Sequence, residues 1–346
     1  VTAFQSLFST ELPIIQAPMA GVQDWELAAA VSSAGGLGSI ACAMLTPEAV
    51  RESVREFRQR TPQPLNLNFF CHQQPETNPT LQQAWLEHLL PYYHELGIES
   101  PKTPSGAGRQ PFNQTMADIV AELQPEVVSF HFGLPEVRLL QQVKATGAKV
   151  ISSATTVEEA CWLEQQGADA IIAQGLEAGG HRGMFLSEDI SRQMGTFALL
   201  PQVVAAVKLP VIAAGGIADA RGVAAALALG ASGVQVGTAY LLCHEAKTSS
   251  IHRAALQSDA ARHTALTNVF SGRPARGIVN RMTQEQGPIS LIAPPFPLAT
   301  AASAPLRSQA ESLGCNDFTP LWAGQNTRGC QMIPAAELTR QLAGDA

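Results

Sequence analysis

Charge and aromatic residues are both scarce in this chain. Asp, Glu, Lys and Arg make up 15% of its 346 residues, and Phe, Trp and Tyr 6%. A disordered chain carries far more charge than this, and the 46% hydrophobic share is ample for a large buried core. No basic face is evident. Lys and Arg number 22 against 29 acidic residues, for a net charge of −7, and they are scattered, which argues against nucleic-acid binding. The nearest approach to a charge run, residues 51–60, mixes signs and reads as a solvated helix face. The six cysteines (Cys42, Cys71, Cys161, Cys243, Cys315 and Cys330) form no CxxC and keep no metal-like spacing to histidines. They read as reduced thiols of a cytoplasmic protein. No 18-residue apolar run occurs, since residues 203–214 are broken by Lys208 and Pro210, so no membrane helix is expected. The opening residues carry no basic stretch ahead of an apolar core, so a signal peptide is not expected. A nucleophile elbow, a metal box and a strand-linked GxGxxG are missing too. Hydrolase and dinucleotide-fold readings therefore have no residues to stand on.

What is present is a rhythm of strand and helix. Short apolar runs at 13–19, 37–41, 64–70, 126–130, 149–152, 169–173, 210–213 and 233–236 read as eight strands. Helical patterns at 25–34, 46–60, 115–123, 134–146, 156–166, 196–207 and 219–229 fall between them. Asp24 and the Thr46-Pro47-Glu48 sequence have the form of helix starts. Residues 71–113 interrupt the rhythm with a further helix at 79–96 and a Pro/Gly/Ser loop at 99–111, and read as an insertion over a strand end. Length alone suggests two domains, but α/β barrels exceed that prior. Eight alternating units predict an α/β fold, a (β/α)8 TIM barrel, over residues 1–245. Residues 246–346, with helices at 249–258 and 334–342 and a Pro-rich stretch at 293–297, are expected to form a smaller substrate-capping segment packed on it.

In such a barrel the chemistry sits at the C-terminal strand ends. The run 173–185, AQGLEAGGHRGMF, follows the sixth strand. Gly179, Gly180 and Gly183 permit a close backbone approach or a positive φ, and His181 among them suits a general base or donor near neutral pH. Glu177 is a possible orienting partner for it. His131 ends the fourth strand, where a buried structural histidine and an active-site histidine are equally good readings. Asn66 and Asn68 share one face of the third strand. Asn68, nearer its end, suits a heterocycle edge, as does Gln174. Gly215-Gly216 and Gly237-Thr238 end the seventh and eighth strands, a frequent phosphate site in barrels, though tight turns alone also use glycine.

Six separated motifs in order carry a resemblance: PIIQAPMAG (13–21), AQGLEAGGHRG (173–183), AAGGI (213–217), QVGT (235–238), FSGRPARGIVNR (270–281) and LWAGQ (321–325). Together they resemble the FMN-dependent nitronate monooxygenases, the 2-nitropropane dioxygenase-like enzymes. The resemblance implies non-covalent FMN. Its phosphate would lie on Gly215, Gly216, Gly237 and Thr238, and Gln235 and Val236 would also bind the cofactor. Its ring would meet Ala17, Met19, Asn68 and Gln174, with Gly179 close by. It further implies oxidation of an alkyl nitronate, such as propionate 3-nitronate, by O2 to a carbonyl compound and nitrite through a flavin semiquinone. His181 falls on the catalytic histidine, orienting the nitronate or removing a proton from a nitroalkane. His131 falls on a second active-site histidine. Family members also place a tyrosine and a lysine near the substrate, and Tyr92, Tyr93 and Tyr240 are the only tyrosines here. The expected partners are small molecules, nitronate or nitroalkane and O2, with no nucleic acid and no membrane. The competing expectation is an NAD(P)H-dependent flavin reductase, acting on enoyl thioesters or quinones, on the same barrel.

Overall fold

A computed structural model describes residues 2–101 and 109–344; much of the Pro/Gly/Ser loop expected at 99–111 therefore lies outside the described residues. The strands are β1 (Ile14–Gln16), β2 (Gly38–Ala41), β3 (Leu65–Phe70), β4 (Val127–His131), β5 (Lys149–Ala154), β6 (Ala170–Gln174), β7 (Gly180–His181), β8 (Val211–Ala214), β9 (Gly233–Val236), β10 (Thr264–Thr267) and β11 (Ala275–Ile278). The α-helices are α1 (Ala3–Phe8), α2 (Trp25–Ser33), α3 (Pro47–Arg60), α4 (Pro79–Glu95), α5 (Gln114–Leu123), α6 (Val137–Ala145), α7 (Val157–Gln165), α8 (Thr196–Ala206), α9 (Ala220–Ala228), α10 (Ser250–Leu256), α11 (Arg281–Gln286), α12 (Thr300–Ser312) and α13 (Ala335–Ala343).

Eight parallel strands pair in the order β1-β9-β8-β6-β5-β4-β3-β2. The amide of Leu37 donates to the Ile14 carbonyl at 2.8 Å, and the amide of Gln16 to the Leu37 carbonyl at 3.0 Å, which closes the sheet into the expected (β/α)8 barrel. The helix starts obey capping chemistry. Thr46 accepts from the Ala49 amide with proline next in the chain, and Thr156 and Asp219 cap α7 and α9 in the same way. Close helix–strand packing decides some glycines: a Cβ on Gly38 would lie 2.0 Å from the Ala28 carbonyl oxygen in α2.

The barrel floor is filled by α1. Phe4 and Phe8 are buried against Ile15, Val127, Ile151 and Ile212. A Cβ on Gly233 would strike the Phe4 ring at 2.4 Å, so only glycine leaves room for this plug.

The segment after the barrel differs from the sequence reading in three ways. A three-stranded antiparallel sheet, β10-β11-β7, joins the tail to the loop after β6. Two helices, α11 and α12, stand where no helical pattern was read, α12 despite an internal Pro305. The helix α4, from the interruption at 71–113, packs with the tail: Trp85 and Tyr93 are fully buried with Phe270, Ala299, Leu306 and Phe318. The Trp85 indole donates to the Ala299 carbonyl and the Tyr93 hydroxyl to the Ala302 carbonyl. Among the described residues no helix is long and apolar enough to cross a membrane.

Candidate active site

One cleft of about 1810 Å³, open mouth included, lies over the C-terminal strand ends. All eleven residues expected to hold the cofactor line it: Ala17, Met19, Asn68, Gln174, Gly179, Gly215, Gly216, Gln235, Val236, Gly237 and Thr238. His131 and His181 line it as well. The tail supplies the opposite wall through His252, Arg307, Thr319 and Trp322. Three side chains on this wall and rim carry charge, Arg109, Lys247 and Arg307, and all three are cationic.

Each strand end is fixed by its own chemistry. The 17–23 loop is pinned by Gln16, whose Nε2 donates to Gln23 Oε1 at 3.1 Å, and by Gln23, which binds the Met19 amide and the Ser39 carbonyl. The Ala17 amide donates to the Val236 carbonyl at 2.8 Å. Asn68 donates its amide to Ser129 Oγ at 2.9 Å. Asn66 is buried in the barrel interior and donates to Ser39 Oγ, away from the cleft lining. Gly215 and Gly216 adopt φ of +115° and +75°, a backbone only glycine holds without strain. The Thr238 hydroxyl accepts from the Gly324 amide at 2.9 Å, and Asn326 donates to the Gly216 carbonyl at 3.1 Å. The LWAGQ motif and the Asn326 that follows it are thereby tied to the two glycine turns.

The loop after β6 is the most heavily constrained part. Gln174 spends both ends of its amide on it, with Nε2 donating to the His181 carbonyl at 3.0 Å and Oε1 accepting from the Gly183 amide at 2.7 Å. Arg182 is fully buried and donates to the carbonyls of Gln174 and Gly175 and to Gln193. Glu159 is buried too, and its carboxylate accepts from the amides of Thr155 and Phe185. Gly179 is required by the tail, since a Cβ there would lie 2.6 Å from backbone atoms of Ala323 and Gly324. Glu177 does not orient His181. It binds Thr196 at the start of α8, a helix whose own N-cap, Gly195, has no side chain to offer.

His181 sits at the edge of the antiparallel sheet, where β7 pairs with β11, and its ring is surrounded by aromatics. Phe296 lies 5.3 Å, Trp322 5.5 Å and Phe70 6.3 Å away between ring centres. Nε2 meets Ser271 Oγ at 2.8 Å, and Ser271 Oγ also reaches the Arg273 carbonyl at 3.4 Å. Nδ1 has no partner among the described residues. Burial, helped by the nearby Arg109 guanidinium and other cationic neighbours, holds His181 well below the ordinary imidazole range, so it is neutral at pH 7. His131 is lowered to about 4, chiefly by burial.

Sequence reasoning missed Ser271, Trp322, Phe296 and Arg109. Ser271 and Trp322 stood inside the quoted motifs 270–281 and 321–325, which marked their neighbourhood but gave no role. None of the three tyrosines reaches the cleft: Tyr92 binds Glu285, Tyr93 the Ala302 carbonyl and Tyr240 Thr339. Lys247 does line it, paired with Glu26 and Asp24. Among the described residues no cluster of His, Cys, Asp and Glu could hold a metal, and all six cysteines are free thiols.

The comparisons with known proteins agree with this architecture. The family model for nitronate monooxygenase matches residues 2–345. A nitronate monooxygenase of Pseudomonas aeruginosa is 44% identical over 341 residues, covering 98% of this chain and 97% of that one. A nitronate monooxygenase of Paraburkholderia phytofirmans is 41% identical, covering 98% and 93%. Among solved structures, a nitroalkane oxidase from Streptomyces ansochromogenes superposes with a TM-score of 0.91 at 38% identity, covering 99% and 97%. FabK from Thermotoga maritima superposes with a TM-score of 0.73 at 27% identity, covering 100% and 96%. A barrel closed over a glycine-lined cleft, with a family match spanning nearly its whole length, makes this chain an enzyme of the nitronate monooxygenase family.

Proposed function

We propose that the chain binds FMN and oxidises alkyl nitronates, propionate 3-nitronate among them, by O2 to a carbonyl compound and nitrite. The cleft fits that cofactor. Gly215, Gly216, Gly237 and Thr238 form a rim of backbone at the last two barrel strands, where a phosphate would meet amides and no bulky side chain. Gln235 carries a buried Oε1 with no donor among the described residues, and the Asn68 side chain lines the same cleft. Amides of this kind suit the edge of a heterocycle. Ala17, Met19, Gln174, Gly179 and Val236 would complete the wall beside the ring. When bound, FMN supplies the electron acceptor and the centre that reacts with O2. In this reading residues 1–245 provide the flavin barrel. Residues 246–346, together with the insertion at 71–113, cover the substrate.

The observation that carries the reading is the setting of His181: a neutral imidazole anchored at Nε2 by Ser271 and open at Nδ1, inside a cleft whose charged lining side chains are all cationic. Lys247 and Arg307 are ion-paired with Glu26 and Glu311, which leaves Arg109, with no carboxylate partner among the described residues, to draw in an anion, and a nitronate is one. The Ser271 hydroxyl has two acceptors in reach, His181 Nε2 and the Arg273 carbonyl. When it donates to the carbonyl, Nε2 keeps its proton and Nδ1 offers a lone pair that can take the α-proton of a neutral nitroalkane. When it donates to Nε2, the proton moves to Nδ1, which then hydrogen-bonds an anionic nitronate. One side chain thus serves both substrate forms through its tautomer.

A second reading, an NAD(P)H-dependent flavin reductase, rests on the likeness to FabK. Anaerobic mixing of the purified flavoprotein with NADH and with propionate 3-nitronate in parallel separates the two. Flavin bleaching by the nitronate and not by NADH is the expected result. Full bleaching by NADH with no response to the nitronate overturns the proposal.

A further inference from the structure

His131 lines the cleft, yet neither of its nitrogens is free to act there. Its Nε2 lies 3.0 Å from the backbone carbonyl of His181, and a carbonyl only accepts, so Nε2 carries the proton. Its Nδ1 then accepts from Ser153 Oγ at 3.0 Å. The same His181 carbonyl takes a second donor, Nε2 of Gln174, also at 3.0 Å. The ring is wedged as well: a Cβ on Gly183 would come within 2.8 Å of His131 Cε1. Two donors from the ends of β4 and β6, strands on either side of β5, thus converge on one oxygen belonging to the residue that faces the substrate.

We infer that His131 is a positioning residue: its Nε2–H and the Gln174 amide hold the His181 backbone in place, and it transfers no proton in the reaction. The inference rests on the reading that His181 is the residue acting on substrate. Ser153 sets the tautomer, since a hydroxyl donating to Nδ1 keeps the proton on Nε2, toward the carbonyl. Burial of the ring among Phe70, Phe132 and the Arg182 and Arg273 guanidiniums makes a second proton unwelcome. Losing one of two donors lets the β7 edge shift, and a displacement near 1 Å costs about 10²-fold in rate.

The test uses the flavin-loaded protein labelled with ¹⁵N-histidine, the His181 signal being assigned by its loss in His181→Asn. Three proteins are compared: wild type, His131→Leu and His131→Gln. The Gln amide nitrogen stands about as far from Cβ as imidazole Nε2, so it can donate to the same carbonyl. Expected for His131→Leu are a displaced or broadened His181 signal and neutral nitroalkane turnover reduced about 10²-fold. The pH profile should keep its shape. His131→Gln should return the signal to its wild-type position and most of the rate. If His131→Gln is as slow as His131→Leu and an ionisation disappears from both pH profiles, His131 itself moves a proton and the inference fails. A wild-type signal and rate in His131→Leu overturn it equally. Should His131→Leu lack a cooperative melt, Gln174→Glu removes the other donor, and an unmoved His181 signal there refutes the two-donor hold. The signal does not depend on which substrate is oxidised, so this inference and the proposed activity fail separately.

Discussion

The carboxylate of Glu177 caps a helix that begins at Thr196, nineteen residues further along the chain. It accepts the Thr196 amide at 2.8 Å and the Thr196 hydroxyl at 2.8 Å, and it lies beneath the Gly215–Gly216 turn. Replacing Glu177 by Ala leaves the start of α8 without any side-chain cap. The expected loss is about 1–2 kcal/mol of stability, seen as a lower melting temperature, with faster release of flavin on dilution. Glu177→Gln should fall between the two. A melting temperature unchanged in Glu177→Ala would contradict the assignment.

Two adjacent glycines should respond differently to alanine. At Gly179 a Cβ collides with the backbone of Ala323 and Gly324, which cannot give way without moving the LWAGQ segment. At Gly180 the space is open, and the only cost is the positive φ of +71°, roughly 1–2 kcal/mol. Urea midpoints should therefore fall much further for Gly179→Ala than for Gly180→Ala. Equal midpoints would show that the tail yields.

Arg109 projects into the cleft, with its guanidinium 5.5 Å from the Phe296 ring centre and no carboxylate bound to it among the described residues. A substrate bearing a carboxylate can pair with it. Arg109→Met should raise KM for propionate 3-nitronate by roughly 10–100-fold, the range for a charge-assisted hydrogen bond. KM for an uncharged-tail alkyl nitronate should change much less. Steady-state kinetics on both substrates decides this, and equal effects would remove the recognition role.

His181→Asn should keep the flavin spectrum and lose neutral nitroalkane turnover by about 10²–10⁴-fold. Nitronate turnover should fall less, because no α-proton remains to be removed. Equal losses on both substrates would eliminate proton abstraction from its role.

His72, His131 and His252 are each lowered to about 4, mainly by burial. Between pH 6.5 and about 4 the unfolded chain takes up these protons and the folded chain does not. Stability therefore rises with pH across that window and is lost on acidification. Above pH 6.5 the three are neutral in both states and add no slope. Melting temperatures from pH 7.5 to 4.5 should be level at first and then fall. A level profile down to pH 5 would contradict the burial argument.

The barrel was legible because each of its eight strands is a short apolar run followed by a glycine or a capped helix. Local pattern is enough for that, down to Thr46 before Pro47 and Asp219 before α9. Position at strand ends then picked out Asn68, Gln174, Gly215 and Gly237, all of which line the cleft. What stayed hidden depends on partners far away in sequence. Gly180 and His181 form a strand only because Ala275 and Arg276 lie alongside, and two residues carry no periodicity. Glu177 lies four residues from His181, yet its partner is Thr196. The Gln174 amide looked free for a ligand, and nothing local reveals that it is held by the loop seven to nine residues on. In α12 an internal proline masked the helical pattern, and burial against α4 stabilises it instead.

The hydrogen bonds from Trp85 and Tyr93 to α12 and the residue before it span 214 and 209 positions of sequence. During synthesis the apolar face of α4 leaves the ribosome that many residues before its partners. At about 5–20 residues per second the wait is roughly 10–40 s. For most of it the barrel still lacks its later strands, and until residues 299–306 emerge Trp85, Leu89 and Tyr93 lack the α12 side of their packing. The insertion at 71–113 thus completes its packing only when nearly the whole chain has been made.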